Sequence, residues 1–235
     1  MGFIAEEFGE PLYLEEEKEP TKLIIISCEG ENTEPEYFET IKEKLADHIP
    51  VLLEITIASR SNLGSEPQKI VSNLKDYIKD KYDYKTENDE MWVVLDREKV
   101  PERRTQILEI IPECTINNFN IAITNPLFEF WLLLHIVDIS TYDRTILFEN
   151  NWVNENRRYI DKELSEKLPN GYNKKKGKFN KNIVTIDNIL RALEQEKLFE
   201  NDLEKIIDNL GSNIGGLIGK ILNDFITPQP SQTSL

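Results

Sequence analysis

Cysteine and histidine are almost missing from this chain of 235 residues, with two of each. Cys28 and Cys114 alone build no disulfide framework, and two cysteines with two histidines leave no zinc-binding constellation. Long apolar runs are absent too: nothing approaches the ~18 residues that a membrane span requires. The opening stretch MGFIAEEFGEPLYLEEEKEP has neither the basic nor the apolar region of a secretory signal, and MGFIAE lacks the Ser/Thr of the myristoylation pattern. There is no internal repeat. Gly211 to Lys220 superficially looks like a phosphate loop, but Ile214 stands where a glycine is needed and Ile221 where Ser or Thr is needed. The glycines there are expected to serve close helix packing. Positive charge is scarce: 28 Lys and Arg stand against 43 Asp and Glu, a net of −15. These absences describe an acidic, cytoplasmic protein without a nucleotide-binding loop, and at first sight a poor partner for a polyanion.

What is present is a chain able to fold. Its hydrophobic fraction of 39%, with 10 Phe, 8 Tyr and 3 Trp, suffices for a core without staples. Charge is distributed unevenly. Residues 1–20 hold seven Glu and one Lys, an acidic leader, whereas residues 156–181 hold nine Lys/Arg against three acids, a local net of +6. Between them strand and helix patterns alternate. Apolar runs at Leu23–Ile26, Val51–Ile57, Met91–Leu95 and Phe119–Thr124 read as strands. Helical spacing follows each, over Glu36–Asp47, Glu66–Tyr84 (with Ser65 as N-cap), Pro101–Ile111 and Phe128–Val137. Such alternation predicts an α/β core of about four mostly parallel strands flanked by helices. Beyond residue 140 the pattern is helical, over Asn156–Leu168, Val184–Leu198, Asp202–Leu210 and Ile214–Phe225. The expected organisation is a leader over 1–21, an α/β domain over 22–137, a helical region over 138–227 carrying the basic segment, and a polar tail over 228–235.

In a parallel sheet, functional groups gather at the carboxyl ends of the strands. Here those ends read Cys28-Glu29-Gly30, Asp96-Arg97-Glu98, and Thr124-Asn125-Pro126 followed by Phe128-Glu129. Three strands thus deliver carboxylates to one rim. Asp96 and Glu98, two apart, point the same way if the chain is extended. Carboxylates that converge repel one another, and a hard divalent cation relieves that repulsion. The ordinary reading of each acid alone is a helix cap or a solvated turn residue. His135, without a His-Glu-x-x-His pattern, is expected to pack or to satisfy its helix end, and Cys28 to be a small buried residue.

Three strings carry a resemblance: CEGENTEPEYF (28–38), VVLDRE (93–98) and ITNPLFEFWLLLHI (123–136). In that order they resemble the RloB-like family, bacterial Toprim-domain proteins linked to antiphage defence and often encoded beside an AAA/ABC-type ATPase. The resemblance implies a Toprim-like core over 22–137 and a metal-dependent nuclease acting on RNA (tRNA among the candidates) or DNA with Mg²⁺ or Mn²⁺. Glu29 matches the general acid/base or ligand glutamate, and Asp96 the first metal-binding aspartate. Glu98 stands where the family usually has a second aspartate. Glu34 and Glu129 are further metal candidates. Lys174, Lys175, Lys176, Lys178 and Lys181, with Tyr172 and Phe179 interleaved, are expected to grip phosphates and stack a base. A partner ATPase is implied, and a homo-oligomer is admitted. The competing reading is a non-catalytic regulatory or nucleic-acid-binding subunit, with a metal site weakened by the Asp-to-Glu departure at position 98.

Overall fold

The computed structural model describes residues 22–49, 51–57, 67–81 and 88–222. The leader, Ser65 and the polar tail lie outside the described residues. The first strand, β1 (Leu23–Cys28), is apolar nearly throughout because both its faces are covered. Ile24, Ile26 and Cys28 enter the core on one face and Ile25 the core on the other. The helix α1 (Thr33–Lys44) leads to β2 (Leu52–Ile57), and α2 (Pro67–Lys81) leads to β3 (Glu90–Asp96). Next come α3 (Pro101–Ile116), β4 (Phe119–Asn125) and α4 (Phe128–Ile136), with a cis bond between Asn125 and Pro126. These four strands are mutually parallel in the order β2-β1-β3-β4.

The C-terminal region is less purely helical than its periodicity predicts. After α5 (Arg144–Glu149), the strands β5 (Trp152–Asn154) and β6 (Arg157–Arg158) form an antiparallel hairpin before α6 (Tyr159–Lys167). A helix starting at Asn156 is therefore corrected to one starting at Tyr159; two- and three-residue strands are too short to show a period. The remaining elements are α7 (Ile186–Glu196), α8 (Leu203–Ile206), β7 (Gly211–Ser212) and α9 (Ile214–Leu222). β7 adds a fifth, antiparallel strand beside β4. The whole is a five-stranded, mostly parallel sheet between helices, consistent with a Toprim-like core.

α1, α4, α6, α7 and α9 cover one face and α2, α3 and α8 the other. Placing α1 and α2 on opposite faces makes the chain reverse direction at β1. The crevice between the carboxyl ends of β1 and β3 is thus a topological switch point, where open α/β sheets place their ligands. Two local departures shape this rim. α1 starts at Thr33, three residues earlier than its apolar spacing suggests, because Pro35 is harmless in a first turn where its missing N–H has no partner. α3 runs through Pro112 to Ile116, held down after the proline by buried Cys114. Among the described residues, no helix is long and apolar enough to cross a membrane.

Candidate active site

β1 delivers Glu29 to the rim, its N–H donating to the Val94 carbonyl of β3 at 3.1 Å. Glu29 is 8% exposed, and Arg103 from α3 forms an ion pair with its Oε1. Its Oε2 accepts from the Asp96 N–H at 3.3 Å, and Arg103 Nε donates to the Asp96 carbonyl at 3.0 Å. Arg103 thereby braces the ends of both strands. Burial raises the proton affinity of Glu29, and Arg103 only partly offsets it.

Gly30 then makes room. A β-carbon at Gly30 would lie 2.0 Å from Glu34 Oε2, so the glycine is required for the Glu34 carboxylate to fold back over the turn. Glu34 sits in the first turn of α1, buried, and its pKa is pushed up to about 7 by burial and by the charges of Glu129 and Glu29. Asp96 ends β3, and its Oδ1 accepts from the Phe128 N–H at 2.7 Å, capping α4 from another element. Burial and the charges of Glu34, Glu129, Glu29 and Glu98 hold Asp96 well above the usual carboxylate range.

Glu98 does not follow the alternation expected for it. Its φ is +40°, so the chain leaves the extended conformation there; Glu98 is exposed, and its charge still raises the proton affinities of Asp96 and Glu29. The turn is fastened by Arg97 N–H to the Thr124 carbonyl at 2.9 Å and by Glu98 N–H to that of Pro126 at 3.0 Å. Asn125, buried, donates to the Ile206 carbonyl at 2.7 Å and so clamps α8.

Glu129 faces a second group. It accepts from the Tyr172 hydroxyl at 2.6 Å and pairs with Lys174 at 3.1 Å, and Lys174 also reaches Asp161 of α6 at 2.9 Å. Burial and Glu129 raise Asp161, while Glu129 and Asp161 outweigh burial and raise Lys174.

The basic segment therefore splits. Lys174 is engaged with the carboxylates, and Lys181 pairs with Glu43 at 2.5 Å. Lys175, Lys176 and Lys178 are exposed and form no ion pair among the described residues. The stacking role expected of Tyr172 is corrected: it is 6% exposed, with Thr33 and Glu129 on its hydroxyl, because it closes the core beneath the carboxylates. Phe179 is half-buried and packs edge-on to Tyr37. His135 is fully buried, Nδ1 bonded to the Trp131 carbonyl and Nε2 to the Tyr37 hydroxyl, and burial lowers its pKa to about 4. It is a packing residue, and Cys28 is likewise buried.

Arg103 and Asp161 are not among the site residues expected from the sequence. Arg103 carries a signal: it falls on the stripe Arg103, Ile107, Ile110, Cys114, where only a paired charge is tolerable. Asp161 carries none short of the three-dimensional contact.

The donors suit a hard divalent cation in kind. Among the described residues, however, no three Asp, Glu, His or Cys side chains are placed to hold one ion together.

A protein-family model described as RloB-like protein matches residues 24–221. No curated protein and no solved structure matches the chain.

Proposed function

The chain belongs to the RloB-like protein family, and on that premise we propose that it is a divalent-cation-dependent nuclease hydrolysing phosphodiester bonds in RNA or DNA. One observation carries the proposal: Glu29, Glu34, Asp96 and Glu129 are brought to the switch-point crevice, buried or half-buried, and the proton affinities of Glu29, Glu34 and Asp96 are raised there. Asp96 and Glu34 are the residues that would hold Mg²⁺ or Mn²⁺. When bound, the cation would supply Lewis-acid polarisation of the scissile phosphate and acidify a water. Arg103 holds Glu29 in place, and the raised proton affinity of Glu29 suits it to a proton-transfer role. Lys175, Lys176 and Lys178 supply the positive potential that a polyanion needs near a carboxylate cluster.

The family resemblance adds a setting to the proposal: antiphage defence, with a partner ATPase restraining the enzyme. The absence of a Walker motif in the sequence is in keeping with a partner that handles the nucleotide. The reading as a non-catalytic subunit is favoured by one observation, the exposure of Glu98 at a positive-φ turn, where the family pattern has a second aspartate.

Purified protein incubated with total tRNA and with plasmid DNA decides between them. Cleavage that needs Mg²⁺ or Mn²⁺, stops in EDTA and is lost in Glu29→Gln and Asp96→Asn supports the nuclease. Cleavage untouched by both substitutions removes the site assignment. Nucleic-acid binding with no cleavage in any metal returns the chain to the regulatory reading.

A further inference from the structure

A cavity of about 430 Å³ opens beside the carboxylates, between the β5–β6 hairpin, the turn after β1 and the loop after α6. Arg157 and Lys175 line it, and both are exposed and without an ion pair among the described residues. Three amide side chains line it as well: Asn32, Asn156 and Asn173. The Asn173 Oδ1 accepts from the Lys175 N–H at 2.9 Å, which fixes the turn. The inner wall is Tyr172, Asp161 and Lys174, the same side chains that meet Glu129. Asn32 lies two residues before Glu34. The cavity and the carboxylate cluster therefore share walls.

We propose that this cavity is the subsite for one unpaired nucleotide of the strand to be cut, its phosphate held by Arg157 and Lys175 and its base by the asparagine amides. The proposal rests on the nuclease reading for its location beside the scissile bond. Its chemistry is independent of that reading. Guanidinium and ammonium groups without carboxylate partners are phosphate donors, Arg157 through a planar fork. Amide side chains present the paired donor and acceptor that a base edge requires. A base already paired has that edge occupied, and a cavity of this volume has the size of a small-ligand pocket rather than of a duplex groove. The subsite thus selects single strands, loops or flipped nucleotides over continuous duplex.

The test is fluorescence anisotropy of a labelled strand of about 12 nucleotides, within the usual footprint of single-strand binders. The strand is prepared as RNA and as DNA, each alone and annealed to its complement, and titrated with the full chain in EDTA so that nothing is cut. At least one single strand is expected to bind about tenfold or more tighter than its duplex. Arg157→Ala combined with Lys175→Ala is expected to weaken that strand about tenfold or more and to reduce the slope of log K against log salt by about 1.4. Asn173→Ala is expected to weaken the single strand and leave the duplex unchanged. Equal affinity for single strand and duplex, no measurable binding of either single strand, or variants that bind like the wild type would each overturn the subsite. The two readings fail separately. Binding in the expected pattern without cleavage in Mg²⁺ removes the nuclease and keeps the subsite. Cleavage in Mg²⁺ with binding indifferent to these variants removes the subsite and keeps the nuclease.

Discussion

Asp96 is held in an environment that disfavours its charge. Burial and four neighbouring carboxylates act in the same direction, and the hydrogen bond its Oδ1 accepts from the Phe128 N–H is available equally to an amide oxygen. A carboxylate whose folded pKa lies above its unfolded value contributes instability that grows as pH rises above the unfolded pKa. Asp96→Asn removes that penalty at neutral pH while retaining the capping oxygen. The expected outcome is a thermal midpoint several degrees above wild type in metal-free buffer, together with loss of cleavage, since stability and activity oppose one another at such sites. A lower midpoint for Asp96→Asn would show that the charge is structurally satisfied and would remove it from the candidate site. Gly30 makes the complementary case. Alanine there forces the Glu34 carboxylate from its present place, because the new β-carbon would lie 2.0 Å from Oε2. Gly30→Ala is expected to retain the fold, judged by circular dichroism, and to cut the cleavage rate by about tenfold or more, the scale of a misplaced catalytic group.

At the scale of elements, legibility followed period and length. The four parallel strands and the helices between them were readable because elements of six residues or more leave apolar runs of four or five residues or a 3.6-residue spacing in the sequence. The β5–β6 hairpin and β7 were not, since two or three residues define no period, and their partners are chosen by the fold. Glu29 and Asp96 were legible because each directly ends an apolar strand. Glu98 was misread because alternation stops where φ turns positive. Asp161, which shares Lys174 with Glu129 at the candidate site, and Arg157, which lines the adjoining cavity, were not legible because later elements carry them there.

The packing of α7 on α9 makes a prediction of its own at this scale. Glu196 is buried, accepts from the Gly215 N–H at 3.0 Å, and has its pKa pushed up to about 7 by burial, against 4.5 for an ordinary glutamate. Between those two values the folded chain holds a proton that the unfolded chain has released, so stability falls as pH rises through this window and levels off above about 7. Glu34 and Asp96 act in the same sense, and the contribution of Glu196 is read by difference. Glu196→Gln, which keeps the acceptor for Gly215, is expected to gain stability over wild type between pH 5 and 8 by on the order of 2–4 kcal/mol. Denaturant melts at a series of pH values measure it; parallel curves for the two proteins would show that Glu196 is ionised in the fold at all of them.

For the whole molecule, the net charge of −15 does not decide the choice of partner once its parts are placed in the fold. Part of it is the carboxylate cluster, whose repulsion a cation or a bound proton relieves. Of the nine cations in 156–181, Lys174 and Lys181 are matched by carboxylates, and Lys162 lies against Glu166 at 3.3 Å. Arg157, Lys167, Lys175, Lys176 and Lys178 are exposed without a matching acid among the described residues, and on the proposed function a phosphate backbone would meet these charges first. Residues 1–20 hold six units of net negative charge, and their removal takes the chain from −15 to −9. Coulomb repulsion alone then makes a definite prediction, whatever the conformation of that segment. At ~0.01 M salt, where charges act over roughly 30 Å, the chain lacking residues 1–20 binds a single strand more tightly than the full chain. At ~0.15 M, where the range is about 8 Å, the advantage shrinks toward none if the segment acts only at a distance. An advantage that persists at the higher salt indicates that the segment contacts the basic loop directly, and equal affinity at low salt removes any role for it in access to the site.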